Sequence, residues 1–597
     1  MLGKLLRALF QRGTPRRAPR ESSAAGNAPP RHAHVAEALA ALQRGDLELG
    51  MRLCRTRLRD APADGEAKQL LAEALIVSKR YGEAEGLLAE LVGAGGPAAA
   101  FSSLSRLRHA QGRLDEAVTI AETGIAGHGE DRDLLLAAAN LYRDLGRHAD
   151  EFRLREHLLR LSPDADIKAC AAWLRAACIQ DAATGGPDMA AVRRVFARVD
   201  ARADLDGDAA IQFAETLFGL DAMAADAVSL LGRCYGGRGD VELQLVTCAW
   251  REPQDLCAEH GWRYEAAAAP ERRHQFEVVP CLAELRDVRV LPKFQWMPLA
   301  GSPPALMRSY VTRRIRTQRE DSASPVYAHS ASSVVIERPA QDGPLLEAAI
   351  LLGGKPGDYY HQLVEVFGRL AIVEQYPELA HLPLLTERMT APFEAALRQR
   401  LGLPDERLIQ LSPESVPRVR TLFAPSPLNR GGRVIHSRLA EWYRARLWGR
   451  QAGKAQRRLY LRRGAGLQRR VLNEDELLAA LEPHGFVAVQ PERLSFDEQV
   501  ALFSQTSIVV APVGAALTNM LFMPPGGQAV ILCNNALLAI RGDLYFDSLA
   551  EACGIECSWV AAFGESNFEA RVIDADIRVP VDALCTAVEK LGSDPCG

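Results

Sequence analysis

LSFDEQVALFSQTSIVVAPVGAALTNMLFMPPGG, residues 494–527, changes its hydrophobic period twice. Ser495 followed by Glu498 fits a capping box, which opens a helix over the first third. SIVVAP is an unbroken apolar run without in–out alternation, as a parallel strand covered on both faces requires. Gly514 then turns the chain into a second helical stretch, AALTNMLF. A strand turned by glycine into a helix is one step of a doubly wound α/β sheet.

Upstream, the same alternation continues. RRLYLRR reads as a strand, a helix starts at Asn473 with Glu476 completing a capping box, FVAVQP is a second strand, and AVILCN follows the quoted stretch as a fourth. An earlier set runs SSVVIE, AAILLGG, a helix over DYYHQLVEVFGRLAIVEQY, LPLLTE, a helix over APFEAALRQRLG, then RLIQLS and VRTLFAP. Two successive sets of this kind predict two Rossmann-like halves with a cleft between them, over 331–430 and 431–590. A strand-containing connecting segment precedes them at 251–330, and residues 316–333 read as an exposed polar loop.

Residues 430–470 join the halves and carry thirteen Arg or Lys residues against one acid, Glu441. Guanidinium groups bind phosphate oxygens in bidentate fashion, so such a segment at a cleft suits a polyphosphate. Two or three of the thirteen are expected to touch ligand and the rest to lie on the surface. Trp442, Tyr443, Trp448 and Tyr460 among these arginines are also the residues a single-strand nucleic-acid binder would stack on bases, a weaker reading. No nucleic-acid partner is expected.

The N-terminal third repeats. Gly45, Lys79, Gly112 and Gly146 are spaced by 34, 33 and 34 residues. Each precedes a helical pattern (GDLELGMRL, KRYGEAEGLL, GRLDEAVTI, GRHADEFRL), and seventeen residues after each stands a breaker, Pro62, Gly96, Gly129 or Pro163. Two helices per 34 residues resemble the tetratricopeptide repeat, whose units stack because one helix pair cannot bury its apolar face alone. The repeat is clear over 35–165 and blurs over 166–250, which are expected to be degenerate repeats or a cap. The array holds a protein partner or packs on its own chain. Residues 1–34 read as a basic, disordered tail, at most a peripheral contact at the inner face of a membrane.

With a formal net charge of −4 and 24% charged residues, the whole chain carries no polyanion-binding signature. Twelve scattered cysteines without a CxxC pair suit reduced thiols in the cytoplasm rather than a zinc site or a disulfide scaffold. Asp164-Ala-Asp166 and Asp574-Ala-Asp576 have the spelling of a metal site but stand at a repeat boundary and in a strand-like stretch, so no metal is expected.

Three segments, GDYYHQLVEVFGRL (357–370), RLYLRRGAGLQRRVLNEDEL (458–477) and the quoted 494–527, stand in order and resemble glycosyltransferase family 61. The resemblance implies a GT-B-like fold and transfer of a sugar from a UDP-sugar, with inversion, to a glycan or glycoconjugate. The expected fold class is therefore an all-α, TPR-like N-terminal domain followed by an α/β GT-B-like domain. On the donor side the residues expected to bind are Arg462, Arg463, Arg470, Glu474, Gly514, Ala515, Thr518 and Asn519. A small residue at 514 lets phosphate oxygens reach helix N–H groups, and a fixed cation stabilises departing UDP. Glu474 accepts from a ribose hydroxyl or only charges its helix start. His361 and Glu365, four apart on one helix, are the candidates for the base that deprotonates the acceptor hydroxyl or for the residue that orients the acceptor.

This chain departs from the family pattern at Val513, where His is usual, at Ala516 for Gly, at Gln362 for an aromatic and at Arg462 for Ser. The loss of a His at 513 motivates the competing reading, a catalytically retired domain serving as a scaffold.

Overall fold

The computed structural model describes residues 33–592, leaving out 79, 163–165, 181–185, 203–204, 206–207, 236–242, 248, 292–296, 301–304, 308–325, 330–332, 338–340, 354–357, 388, 390, 412–414, 431, 449–454, 465–468, 536–537, 539–544 and 566–574. The tail 1–32, the turn residue Lys79, the breaker Pro163, Asp164 and Asp574 of the acidic triplets, most of the polar loop 316–333, Arg450 and Lys454 lie outside the described residues. The chain divides into two compact units. One is the array to Ala165 with Asn534–Ile540 and Phe563–Arg578, and the other holds the remainder.

In the first unit, helices Ala33–Gln43 and Leu47–Asp60, Gly65–Val77 and Tyr81–Gly93, Ala98–Ala110 and Leu114–His128, and Arg132–Asp144 and His148–Leu161 form four pairs. The pairs are joined as the spacing predicts. Gly112 and Gly146 have φ of 73° and 71°, the left-handed region that glycine enters without penalty. The next amide then bonds five residues back, Arg113 to the Arg108 carbonyl at 2.9 Å and Arg147 to that of Tyr142 at 2.8 Å, closing a Schellman turn. Five residues after each turn position a small side chain lets the helices approach: Gly50, Ala84 and Ala117 are buried. The fourth repeat breaks this rule. There Glu151 is buried with Arg155, Nε to Oε1 3.5 Å, and Arg155 also donates to Asn140 Oδ1 at 2.7 Å. A Cβ at Gly112 would meet the side chain of Asn535, so the array packs against a later stretch of its own chain.

The second unit begins with helices Ile167–Gln180, Met189–Asp200, Asp208–Phe218 and Ala224–Tyr235. Helical structure thus stops short of the expected boundary at 250, and Leu243–Thr247 and Ala249–Arg251 are strands. Its first large sheet is mixed. Gln341–Gly353 pairs in parallel with Leu384–Thr386 and with Ser415–Pro425, and Leu384–Thr386 pairs in parallel with Leu408–Gln410. Ser415–Pro425 then pairs antiparallel with Cys281–Leu291. The stretch 251–330, expected to be a connector, therefore supplies strands that extend this sheet, and Leu285, Val288 and Val290 enter its core beside Leu351, Val419 and Leu422. Ser333–Glu337 is a strand as expected but lies outside this sheet. Leu243–Thr247 and Val326–His329 pair with it antiparallel on both sides, which uses both its edges.

The second sheet is parallel where the sequence demanded it. Arg457–Leu461 sits between Phe486–Val489 and Thr506–Pro512, and Gln528–Asn534 follows Thr506–Pro512. The chain leaves the first strand to one side, with helices Glu474–Leu481 and Phe496–Phe503 covering the crossovers, and returns on the other side. Ser495 and Glu498 form the capping box. Asn473 does not. Its amide bonds both backbone groups of Val579, donating at 2.9 Å and accepting at 3.0 Å, so the helix start gets no side-chain cap from it.

Candidate functional site

In an open parallel sheet, ligands bind outside the carboxyl ends of the strands where the winding reverses. That point here lies between Arg457–Leu461 and Thr506–Pro512. The residues that follow the two strands are Arg462 and Arg463 on one side, Val513 and Gly514 on the other. Successive residues of an extended chain point opposite ways. Arg462 turns away and pairs with Glu474, 2.9 Å from its Nε. Tyr460 is buried near Glu474, and its hydroxyl is pushed far above the ordinary range by burial first and by that charge second. Arg463 turns to the switch point and donates from Nη1 to the Val513 carbonyl at 2.6 Å. A Cβ at Gly514 would stand 2.5 Å from the same Nη1. Glycine leaves that space to the guanidinium, which any side chain there would displace. Its φ of 173° is extended backbone open to any residue.

Ala515–Phe522 follows as a 3₁₀ segment, where an ordinary helix was expected. Ala515 is exposed at its start, while Thr518 and Asn519 are wholly buried. Asn519 is committed to protein groups: Nδ2 donates to Gln499 Oε1 at 3.0 Å and to the Ala516 carbonyl at 3.1 Å, and Oδ1 accepts from Tyr359 at 2.8 Å. Arg470 is exposed, on the far side of 465–468 from Arg463.

Tyr359 begins the other half of the site. Gly353, at φ 83°, ends the central strand of the first sheet. Asp358 then caps the following helix, accepting from the His361 amide at 3.2 Å. The helix expected as one piece holds a π turn at Gln362–Val366 and a 3₁₀ turn at Phe367–Arg369, and π turns concentrate at functional sites. His361 and Glu365 share a face as predicted. His361 Nδ1 lies 2.6 Å from Glu365 Oε2, and the side chains are 24% and 5% exposed. Asn429 donates to the second carboxylate oxygen, Oε1, at 3.1 Å. The Tyr443 hydroxyl donates to the Leu363 carbonyl at 2.8 Å within the π turn.

Much of the basic segment is structural. Arg444 donates to the Cys553 carbonyl, Arg446 pairs with Glu374, and Arg458 donates to the His484 carbonyl. Trp442, Tyr443 and Tyr460 are buried, which removes three of the four aromatics that could stack on bases. Among the described residues no helix is long and apolar enough to cross a membrane. Tyr359, Asn429 and Gln499 escaped the sequence reading. Tyr359 and Gln499 stood inside recognised segments, whereas Asn429 carries no pattern of its own.

The two motifs that touch here, around Tyr359 and around Asn519, fall within residues 359–531, which match the family Glycosyltransferase 61. Residues 359–531 form a glycosyltransferase 61 domain. The domain is the part of the chain that holds His361, Arg463 and Gly514. A 59-residue stretch of the chain is 49% identical to the EGF domain-specific O-linked N-acetylglucosamine transferase of Drosophila melanogaster, covering 9% of this chain and 11% of that protein. The chain thus spans about a tenth of the length of that relative. Solved structures similar to the chain include a thermophilic TPR protein of Thermus thermophilus, 14% identical over 34% of this chain and 98% of that one with TM-score 0.23. Another is Pseudomonas aeruginosa pilF, 17% identical over 35% and 92% with TM-score 0.28. The four helix pairs ahead of the glycosyltransferase 61 domain are tetratricopeptide-like in their own geometry.

Proposed function

We propose that the second unit transfers a sugar from a UDP-sugar to a hydroxyl of a glycan or glycoconjugate, with inversion, in a GT-B-like arrangement of two Rossmann-like lobes. The observation that carries this reading is Arg463, anchored on the Val513 carbonyl against Gly514 at the switch point of a parallel sheet. A guanidinium already held in place stabilises charge developing on departing diphosphate without reorganisation in the transition state. Arg463 and the first turn after Gly514 hold the diphosphate. Arg470 and Ala515 border it, while Arg462, Glu474, Thr518 and Asn519 support the walls.

His361 is the base. Glu365 accepts a hydrogen bond from Nδ1–H, so Nε2 receives the proton of the acceptor hydroxyl as its oxygen bonds the anomeric carbon and the bond to UDP breaks. Residue 513 takes part through its carbonyl, so replacing the usual His by Val leaves the Arg463 anchor intact. This favours an active transferase over a retired scaffold. The array packs on its own chain, for which the contact between Gly112 and Asn535 is the support, and leaves its remaining surface for a protein partner.

The short stretch shared with an N-acetylglucosamine transferase makes UDP-N-acetylglucosamine the first donor to test. Thermal unfolding of the full chain is followed with this and other UDP-sugars, pentosyl donors included. A donor at a hundred times its Kd stabilises by about 2.7 kcal/mol. The matching donor raises Tm and is turned over to UDP, and a set of donors none of which moves Tm defeats the reading.

A further inference from the structure

Asn429 stands outside the three segments that resemble the family, yet it completes a chain of buried contacts to His361. It belongs to the two-residue strand Asn429–Arg430, held antiparallel to Val434–Ile435. That pairing fixes its backbone independently of the helix it touches. Its side chain is buried, and its Nδ2 lies 3.1 Å from Glu365 Oε1, itself buried. The other oxygen of the same carboxylate lies 2.6 Å from His361 Nδ1.

We infer that Asn429 is a positioning residue that sets the tautomer of His361 through Glu365, an inference that rests on His361 being the base. An amide N–H can donate but cannot accept a proton. Facing Oε1, it holds Glu365 as a carboxylate and fixes its rotation, so that Oε2 meets the imidazole. Neutral His361 then carries its proton on Nδ1, and Nε2, which lies 4.0 Å from Asp358 Oδ2, carries the lone pair that takes the acceptor proton. A carboxylate left to rotate would also give the ring its other tautomer, with a proton on Nε2 where the acceptor proton must go.

The test reads the ring directly. The full chain labelled with ¹⁵N-histidine is observed at pH 8, with His361 assigned by its loss in His361→Gln. In the wild type the Nδ1–H tautomer dominates. In Asn429→Ala the two tautomers mix. Asn429→Asp, which keeps the volume but places a second carboxyl against Glu365, mixes them as well. In both variants kcat falls at least tenfold while affinity for UDP changes less than twofold. A wild-type ring protonated on Nε2 overturns the inference without any variant, and so does an Nδ1–H population unchanged in the folded variants. Because the tautomer is read without turnover, a chain that shows it but binds no UDP keeps this inference and loses the transferase reading.

Discussion

The hydroxyl of Tyr359 donates to Asn519 Oδ1 at 2.8 Å, joining two residues 160 positions apart. One leads into the helix of His361 and the other closes the turn that begins at Gly514. Asn519 is buried and Tyr359 half-buried, and desolvation pushes the Tyr359 hydroxyl far above its ordinary range. The bond ties the helix of His361 to the turn that follows Gly514.

Cutting that tie from either end has unequal costs. Tyr359→Phe removes one donor and costs about 1 kcal/mol, whereas Asn519→Ala strands Gln499, Tyr359 and the Ala516 carbonyl and costs about 2–4 kcal/mol. Urea unfolding of the two variants checks the order. On the proposed function both lower kcat more than they raise the Kd for UDP. Asn519 acting as a direct donor ligand would instead weaken UDP binding while Tyr359→Phe left it alone.

Gly514→Ala adds one methyl group where Arg463 Nη1 now lies. The backbone there is extended, so the change strains the guanidinium rather than the chain. UDP affinity drops about tenfold, roughly 1.4 kcal/mol, while Tm moves by no more than a few degrees. Calorimetry beside a melting curve separates the two effects.

Glu387 sits just past the strand Leu384–Thr386, and burial pushes its carboxyl up to about 7. The sign follows from the raised value. Below about pH 4.5 the carboxyl is protonated in both folded and unfolded chains and costs nothing. Between there and pH 7 the unfolded chain ionises first, so stability is lost as pH rises, and above 7 the loss levels off. Glu387→Gln therefore melts with the wild type at pH 4 and is more stable by about 1–2 kcal/mol at pH 8. Melting curves across that range decide it; equal Tm at pH 8 contradicts it.

In the array, Glu151→Ala leaves Arg155 buried without its carboxylate and destabilises by about 2–4 kcal/mol. The double change Glu151→Leu with Arg155→Met comes within about 1 kcal/mol of the wild type, because a buried pair is repaid poorly for its desolvation. Thermal unfolding of the three proteins distinguishes a pair that stabilises from one that merely must not be broken.

Periodicity exposed what depends on local rules. The glycine turns at 45, 112 and 146, the capping box at Ser495 and the parallel strands of the second sheet were all readable, because each is set by neighbours within one or two turns. What hid from the sequence depends on distant partners. Asn473 looked like a helix cap, but Val579, 106 residues on, binds its amide. Ser333–Glu337 had the composition of a core strand, but it pairs outside the large sheet with Val326–His329 and with the distant Leu243–Thr247. His361 and Glu365 were legible as an i, i+4 pair. Asn429, which completes their contacts, lies in a stretch with no period at all. Arg463 was the first choice for the diphosphate and Arg462 or Arg470 the second, but only the strand pleat shows Arg462 going to Glu474 and Arg463 to Gly514.

Those two arginines provide the most direct test of the account. Calorimetric titration of UDP into the wild type, Arg462→Ala and Arg463→Ala compares neighbours of equal charge. Measurable binding by the wild type and by Arg462→Ala, with a loss of tenfold or more in Arg463→Ala, is the predicted result. Equal affinity in all three, or none in the wild type, contradicts it.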